Sequence, residues 1–520
     1  MHNISIKSAG VPEDALRKYL KYLDDAQLST HDMIIARGDG IFFERYWEPF
    51  YPEFRHRMYS VTKSFVSIAV GFLWDDGAID LDRPIVEYFP EEAACVADEN
   101  VRRQTVRHML TMTTAKTAKN WFAASHREGP DFDRVRCYFD NPSASRAPGS
   151  YFEYDSSGSF VLGALVERLS GMSLRDFLDL RLFSKLGASR TARLLHSPGF
   201  SPIPPEEDDP VIDPDSGYRF GHSWGDSALL CTPRDLLYTV RFIENGGVWE
   251  GERLLSAEYV RAATACQVST AGTERPGCTS LGYGYQIWKT YGDSFLFNGM
   301  GSQYGIGVPS RGFTFVYNGD NQGIPDAAET IIGGFFRYIV ENSADSWDDS
   351  PAACCAQSQD DGFEPGIDFR LMTARGGTTA PSADSINGRK YYAACENPMG
   401  MEWVSFTFGE DGTGAFRYRN EQGEAEIPFG MCRNVFFSFP EEGYSKKLGG
   451  APSRGHFYKA AASAAWQDDG ELYLKVQIID DYFGRLEIHV TPESGGLRIR
   501  MRKTAEDFLD KFNGEFIGRE

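Results

Sequence analysis

The chain has 520 residues, enough for more than one domain and a large core. Hydrophobic residues make up 42% and charged residues 24%, a globular composition that excludes a fibrous or wholly disordered chain. A formal net charge of −21 argues against nucleic acid and anionic membrane surfaces as partners, because both repel an acidic protein. No stretch approaches the ~20 consecutive apolar residues that a membrane span needs. The first residues lack the apolar core and small-residue cleavage site of a secretory leader. The nine cysteines are scattered without a CxxC pair, so neither a disulfide framework nor a zinc site is expected. The expected setting is reducing cytoplasm, with no metal and no cofactor.

In chain order, residues 14–26 read as an opening helix. Met33–Arg37 and Ile41–Trp47, joined by Gly38-Asp39-Gly40, read as a β-hairpin. The run from Phe65 to Trp74 is a nearly uncharged helix that should stop at Asp75-Asp76-Gly77. Helical periods follow around 105–112, 158–171 and 233–245. Strands are expected at Gly282–Trp288, Ser294–Phe297 and Gly312–Tyr317, then a helix near 325–341. Strands at both ends of a helical middle predict an α+β domain over residues 1–342, its antiparallel sheet drawn from both ends. Residues 343–386, rich in Ser, Asp, Gly, Pro and Ala, read as a linker. Short alternating segments at 403–408, 414–418, 435–439, 471–476, 485–490 and 497–501 then predict a small antiparallel barrel or sandwich over 387–520.

The chemistry begins at Ser60-Val61-Thr62-Lys63. Residues three apart share one helix face, so the Lys63 amine can reach the Ser60 hydroxyl. Desolvation disfavours a charged amine, and a neutral one can take the serine proton. Taken alone, a Ser-x-x-Lys match arises by chance about once in a chain this long. Context strengthens it, since a lysine on the first turn of a core helix needs a reason to be there. Tyr154, on a polar turn before a helix, is placed to relay protons to a leaving group, although a packing role fits that segment as well. Phe297-Asn298-Gly299-Met300-Gly301 ends a strand in glycines, where another backbone can approach closely. The N–H groups of Ser60 and Met300 could then form an oxyanion hole; a plain glycine turn is the alternative.

With these residues in order, the chain resembles the serine hydrolases of the class C β-lactamase and penicillin-binding-protein-like family over roughly residues 15–342. Ser60–Lys63 resembles the family's nucleophile motif. His108-Met109-Leu110-Thr111-Met112-Thr113-Thr114 resembles its HLLTMTSG segment. Tyr154-Asp155-Ser156 resembles its Tyr-x-Asn motif, with Ser156 in place of asparagine, and Gly247–Gly251 and Gly282–Tyr285 are further landmarks. The resemblance implies that Ser60 forms an acyl-enzyme with Lys63 and Tyr154 as base and acid. It also implies that Ser156, Asn298 and Gly299 border the substrate. Trp121 and Trp224 are candidate walls of the cleft.

One departure bears on the substrate. The family's third motif carries a lysine or histidine where this chain has Phe297, so the cation that holds a substrate carboxylate is missing. That disfavours a β-lactam or peptidoglycan stem and favours a small-molecule ester or amide, as in the esterase and 6-aminohexanoate-dimer-hydrolase branches. A D-amino-acid peptidase or β-lactamase is the alternative among enzymes. An inactive sensor or binding protein that keeps the fold is the alternative of another class. The last domain resembles the lipocalin-like barrels appended to some family members. The sequence leaves room for a homo-oligomer.

Overall fold

The computed structural model describes residues 1–116, 133–141, 145–188, 193–194, 222–273, 277–350, 363–442, 457–480, 483–505, 509 and 511–520. It divides into two compact units, one formed by Met1–Phe369 and one that begins at Arg370. The first is built on a seven-stranded sheet. The start of this unit supplies His2–Asn3, Gly40–Tyr46 and Thr30–Arg37, and its later part adds Phe313–Gly319, Gln303–Val308, Phe295–Gly299 and Trp288–Lys289 in that spatial order. The joint between the two sets is antiparallel, with Phe315 opposite Ile35 and Tyr317 opposite Met33.

Alternation along the central strands gives the sheet two different faces. Tyr304, Ile306, Val308, Phe313, Phe315 and Tyr317 bury against Leu16, Tyr19 and Leu20 of helix Glu13–Asp25 and against Ile331 and Phe335. Phe315 and Phe335 stack at 4.4 Å. The opposite face bears Gly305 and Gly307, which let helix Pro233–Glu244 settle close. A β-carbon at Gly305 would stand 2.6 Å from Val240 Cγ2.

Two sequence expectations change here. The strand expected over Gly282–Trp288 shrinks to Trp288–Lys289. Gln286 sits at φ +56° and turns the chain, leaving Tyr283 with only isolated bridges. Strand Gln303–Val308 was not anticipated, because its glycines weaken the alternating pattern that marks a strand.

Residues 343–386 do not stand apart as a linker where they are described. Arg37 donates to the carbonyls of Ala9, Arg311 and Ala344, with its guanidinium held between Phe313 and Trp347. The Ala344 N–H donates to Gly10 and that of Asp348 to Ser8. Phe369 packs edge-on against Trp47. Polar composition hid these contacts because backbone groups and one buried arginine make most of them.

The second unit is a closed barrel, antiparallel at every neighbouring pair but the parallel one that closes it. Its order runs Gly423–Met431, Thr413–Asn420, Trp403–Phe408, Lys390–Ala393, Gly514–Arg519, Gly496–Ala505, Phe483–Glu493, Leu472–Ile479 and Lys459–Trp466. Pairing of Gly430 with Ser463 and Met431 with Ala464 closes the ring. Lys459–Trp466 holds five alanines, a composition that favours helix. Here Ala460, Ala462 and Ala464 are fully buried, each opposite a large residue (Ile478, Val476 and Leu474) on the next strand, so packing overrides propensity. Among the described residues no helix is long and apolar enough to cross a membrane.

Gly305→Ala should destabilise the protein by about 1–3 kcal/mol, because Val240 sits on a packed helix and cannot move aside. Urea denaturation of the variant against the parent measures this.

Candidate active site

Helix Val61–Asp75 crosses the centre of the first unit, and every residue from Val61 to Leu73 is buried. It is apolar all round because it packs on helix Ser156–Ser170 and on the strand carrying Phe297, whose ring meets Phe65 at 6.2 Å. Ser60 is its N-cap, so the Ser60 N–H points out of the helix at the positive end of the dipole. Tyr59 just before it adopts φ +45°. For an aromatic residue this is a strained conformation, of the kind that persists where the surroundings impose it, often at active sites.

Lys63 is 1% exposed. Its Nζ lies 3.0 Å from Ser60 Oγ and donates at 2.6 Å to the main-chain carbonyl of Asp226. The Asp226 turn reaches this depth because Gly225 slides between the two helices. A β-carbon on Gly225 would meet the Ser159 carbonyl and Val66 Cγ2, each at 3.1 Å, and Gly163 Cα at 3.2 Å. The Lys63 ammonium also sits 5.1 Å from the centroid of the Tyr154 ring. That ring stacks on Trp288 at 5.5 Å and 22°, and Phe152 and Tyr283 buttress Trp288 in turn. Ser60, Lys63 and Tyr154 therefore converge from two segments more than ninety residues apart in sequence.

Gly299 closes the other side. A β-carbon there would stand 2.3 Å from the Met58 carbonyl oxygen and 3.2 Å from Val61 Cγ2, so the strand end touches the Met58–Val61 segment backbone to backbone. The ladder ends at the Gly299–Gln303 pair, and Met300, 37% exposed, begins the turn. Gln303 fixes this turn by donating to the carbonyls of Gly319 at 2.6 Å and Met300 at 3.3 Å. Asn298 is half-buried on the face opposite Gly299, and Ser156 is the half-buried first residue of helix Ser156–Ser170. Phe297 is fully buried and offers the cleft neither charge nor surface.

Trp224 does not line a cleft. It is fully buried, packed against Phe160 at 5.4 Å and beneath the Arg134 guanidinium, so it is a core group. Trp121 lies outside the described residues.

Two buried carboxylates that sequence reasoning left without a role interact electrostatically with Lys63. Burial pushes the Asp155 carboxyl up to about 6, against hydrogen bonds from the Ser157 hydroxyl and N–H and the positive charge of Lys63. Burial also raises Asp226, with Lys63 again opposing. Asp155 had a local signature as the N-cap of a helix, whereas Trp224-Gly225-Asp226-Ser227 carries none.

Two predictions follow from this geometry. Gly299→Ala should lower turnover at least about 10²-fold, the size of a lost oxyanion donor, because the Met58 carbonyl cannot yield to the new methyl; steady-state kinetics would detect it, and unchanged turnover would refute it. Folded Asp155 holds its proton up to about pH 6, while an unfolded aspartate releases it near 3.8, so the parent loses stability as pH rises through that window. Asp155→Asn removes this loss. Its stability relative to the parent should grow by roughly 3 kcal/mol between pH 3.5 and pH 7, as read by denaturant titrations at each pH.

Comparison with known proteins places the chain in a family. The Beta-lactamase family model matches residues 17–330. A 6-aminohexanoate-dimer hydrolase from Paenarthrobacter ureafaciens is 28% identical over 311 residues, covering 57% of this chain and 72% of that protein. Esterase EstB from Burkholderia gladioli is 29% identical over 172 residues, or 30% of this chain and 43% of the esterase. A crystal structure of SurE with D-Leu aligns over 98% of this chain and 99% of that one, at 16% identity and a TM-score of 0.49. With the family model covering more than half its length, the chain belongs to the beta-lactamase family of hydrolases.

Proposed function

We propose that this protein cleaves an ester or amide of a small molecule through an acyl-enzyme on Ser60. The observation that carries the proposal is the 3.0 Å approach of the buried Lys63 amine to the Ser60 hydroxyl. Ser60 Oγ attacks the substrate carbonyl carbon as Lys63, in its neutral form, accepts the hydroxyl proton. The developing oxyanion is held by the N–H groups of Ser60 and Met300. Tyr154 delivers a proton to the leaving oxygen or nitrogen as the acyl bond breaks, and the same pair then activates the water that releases the acid. Ser156, Asn298 and Gly299 border the substrate. The names of the related proteins, a hydrolase and an esterase, support this chemistry.

The substrate class follows from what stands at residue 297. A buried phenylalanine leaves this strand position without a cation for a substrate carboxylate. Neutral esters and amides are therefore favoured over carboxylate-bearing β-lactams.

Ser60→Ala and Lys63→Ala should each lower hydrolysis of p-nitrophenyl butyrate by at least about 10³-fold. The parent should turn over that ester with a kcat/KM well above its value for nitrocefin. Undiminished turnover by Ser60→Ala would end the proposal, and efficient nitrocefin cleavage would end the assignment to neutral substrates.

A further inference from the structure

Gln286 is 2% exposed and uses all four of its polar groups. Its N–H donates to the Leu110 carbonyl at 2.9 Å, and its own carbonyl accepts from Ser64 Oγ at 2.9 Å. Its side-chain Oε1 accepts from Ser159 Oγ at 2.6 Å, while Nε2 donates to the Met109 carbonyl at 2.8 Å. The amide orientation is dictated by its partners, since a main-chain carbonyl can only accept.

Each partner leads to one member of the proposed site. Ser64 follows Lys63 on helix Val61–Asp75. Ser159 lies on the first turns of helix Ser156–Ser170, which is capped by Asp155 next to Tyr154. Met109 and Leu110 lead into Met112, whose carbonyl accepts the Glu153 N–H and whose sulfur faces the Asp155 N–H at 3.4 Å. Two residues beyond Gln286, Trp288 stacks on the Tyr154 ring. Gln286 does this from the left-handed region at φ +56°, which is unfavourable for a side chain of its kind and persists here because its hydrogen bonds hold it.

We propose that Gln286 is a positioning residue that sets the spacing between Lys63 and Tyr154 for the hydrolysis proposed above, and the inference rests on that reading. A side chain of this length with an acceptor and a donor at its end is what the junction requires. Leucine would leave the Ser159 hydroxyl without its partner and reduce the Met109 carbonyl to the Met112 N–H at 3.3 Å. Glutamate would set a carboxylate oxygen against a carbonyl. Misplacing a base or an acid by about 1 Å lowers the rate of chemistry on the order of 10²-fold while substrate binding is kept.

The test compares the full-length parent with Gln286→Leu, Gln286→Glu, Ser159→Ala and the Gln286→Leu/Ser159→Ala double variant. Each is assayed with p-nitrophenyl butyrate, for its rate of labelling by a fluorophosphonate, and for its melting temperature. The expected result for Gln286→Leu is a kcat lower by roughly 10–100-fold with KM within about 3-fold. Labelling should slow in parallel, and Ser159→Ala should move the same way by less. The double variant should be no slower than Gln286→Leu alone, because both changes break one connection. If Gln286→Leu does not fold, Ser159→Ala and Gln286→Glu carry the comparison. A lower melting temperature with unchanged kcat per folded molecule would overturn the positioning role and leave the hydrolase reading intact. Failure of the parent itself to label or turn over ester would overturn both.

Discussion

The organisation of the first unit depends on one buried amine. Lys63 lies at the head of a helix that is otherwise apolar, held between the Ser60 hydroxyl and the Asp226 carbonyl. Burying an ammonium without partners is so unfavourable that the surroundings must supply them. They do so with a main-chain carbonyl in direct contact, a tyrosine ring beneath the charge and two buried carboxylates nearby. The same arrangement holds the amine 3.0 Å from the Ser60 hydroxyl, and the proposed reaction uses it once it has given up its proton, since an ammonium has no lone pair to accept another.

Bringing those partners to Lys63 explains features that look unrelated along the chain. Gly225 and Gly163 are small so that the Asp226 turn can slide between two helices. Gly299 is small so that the sheet edge can touch Met58, and Gly305 so that helix Pro233–Glu244 can support the sheet from behind. Met112 and Gln286 take left-handed backbone conformations in the segments that hold the Tyr154 turn. Close backbone approach and strained turns thus recur in the segments packed around Lys63 and Tyr154, where strain of about 1–3 kcal/mol per residue is offset by the packing of the whole unit.

What could be read in the sequence was whatever is encoded locally. The hairpin at Gly38-Asp39-Gly40, the end of the long apolar helix at Asp76 and the serine-lysine spacing are properties of short windows. Strand Gln303–Val308 escaped because its glycines serve a helix more than sixty residues earlier in the chain. Strand Lys459–Trp466 escaped because alanine is used there for its small volume opposite large neighbours. Trp224 was expected at the cleft because it is large and aromatic, yet it fills the core beside Phe160. Asp226 and Gln286 leave no trace in a short window, since each acts through partners that only the fold brings near.

The central claim is that the Ser60 hydroxyl is the activated nucleophile of this protein. Its most direct measurement is peptide mapping by mass after exposure of the full chain to a fluorophosphonate, whose phosphorus a nucleophilic oxygen attacks as fluoride leaves. The account predicts one phosphonyl adduct per chain, carried by Ser60 and absent when the chain is unfolded beforehand. An adduct on any other residue, or an unmodified Ser60 in folded protein, would contradict it.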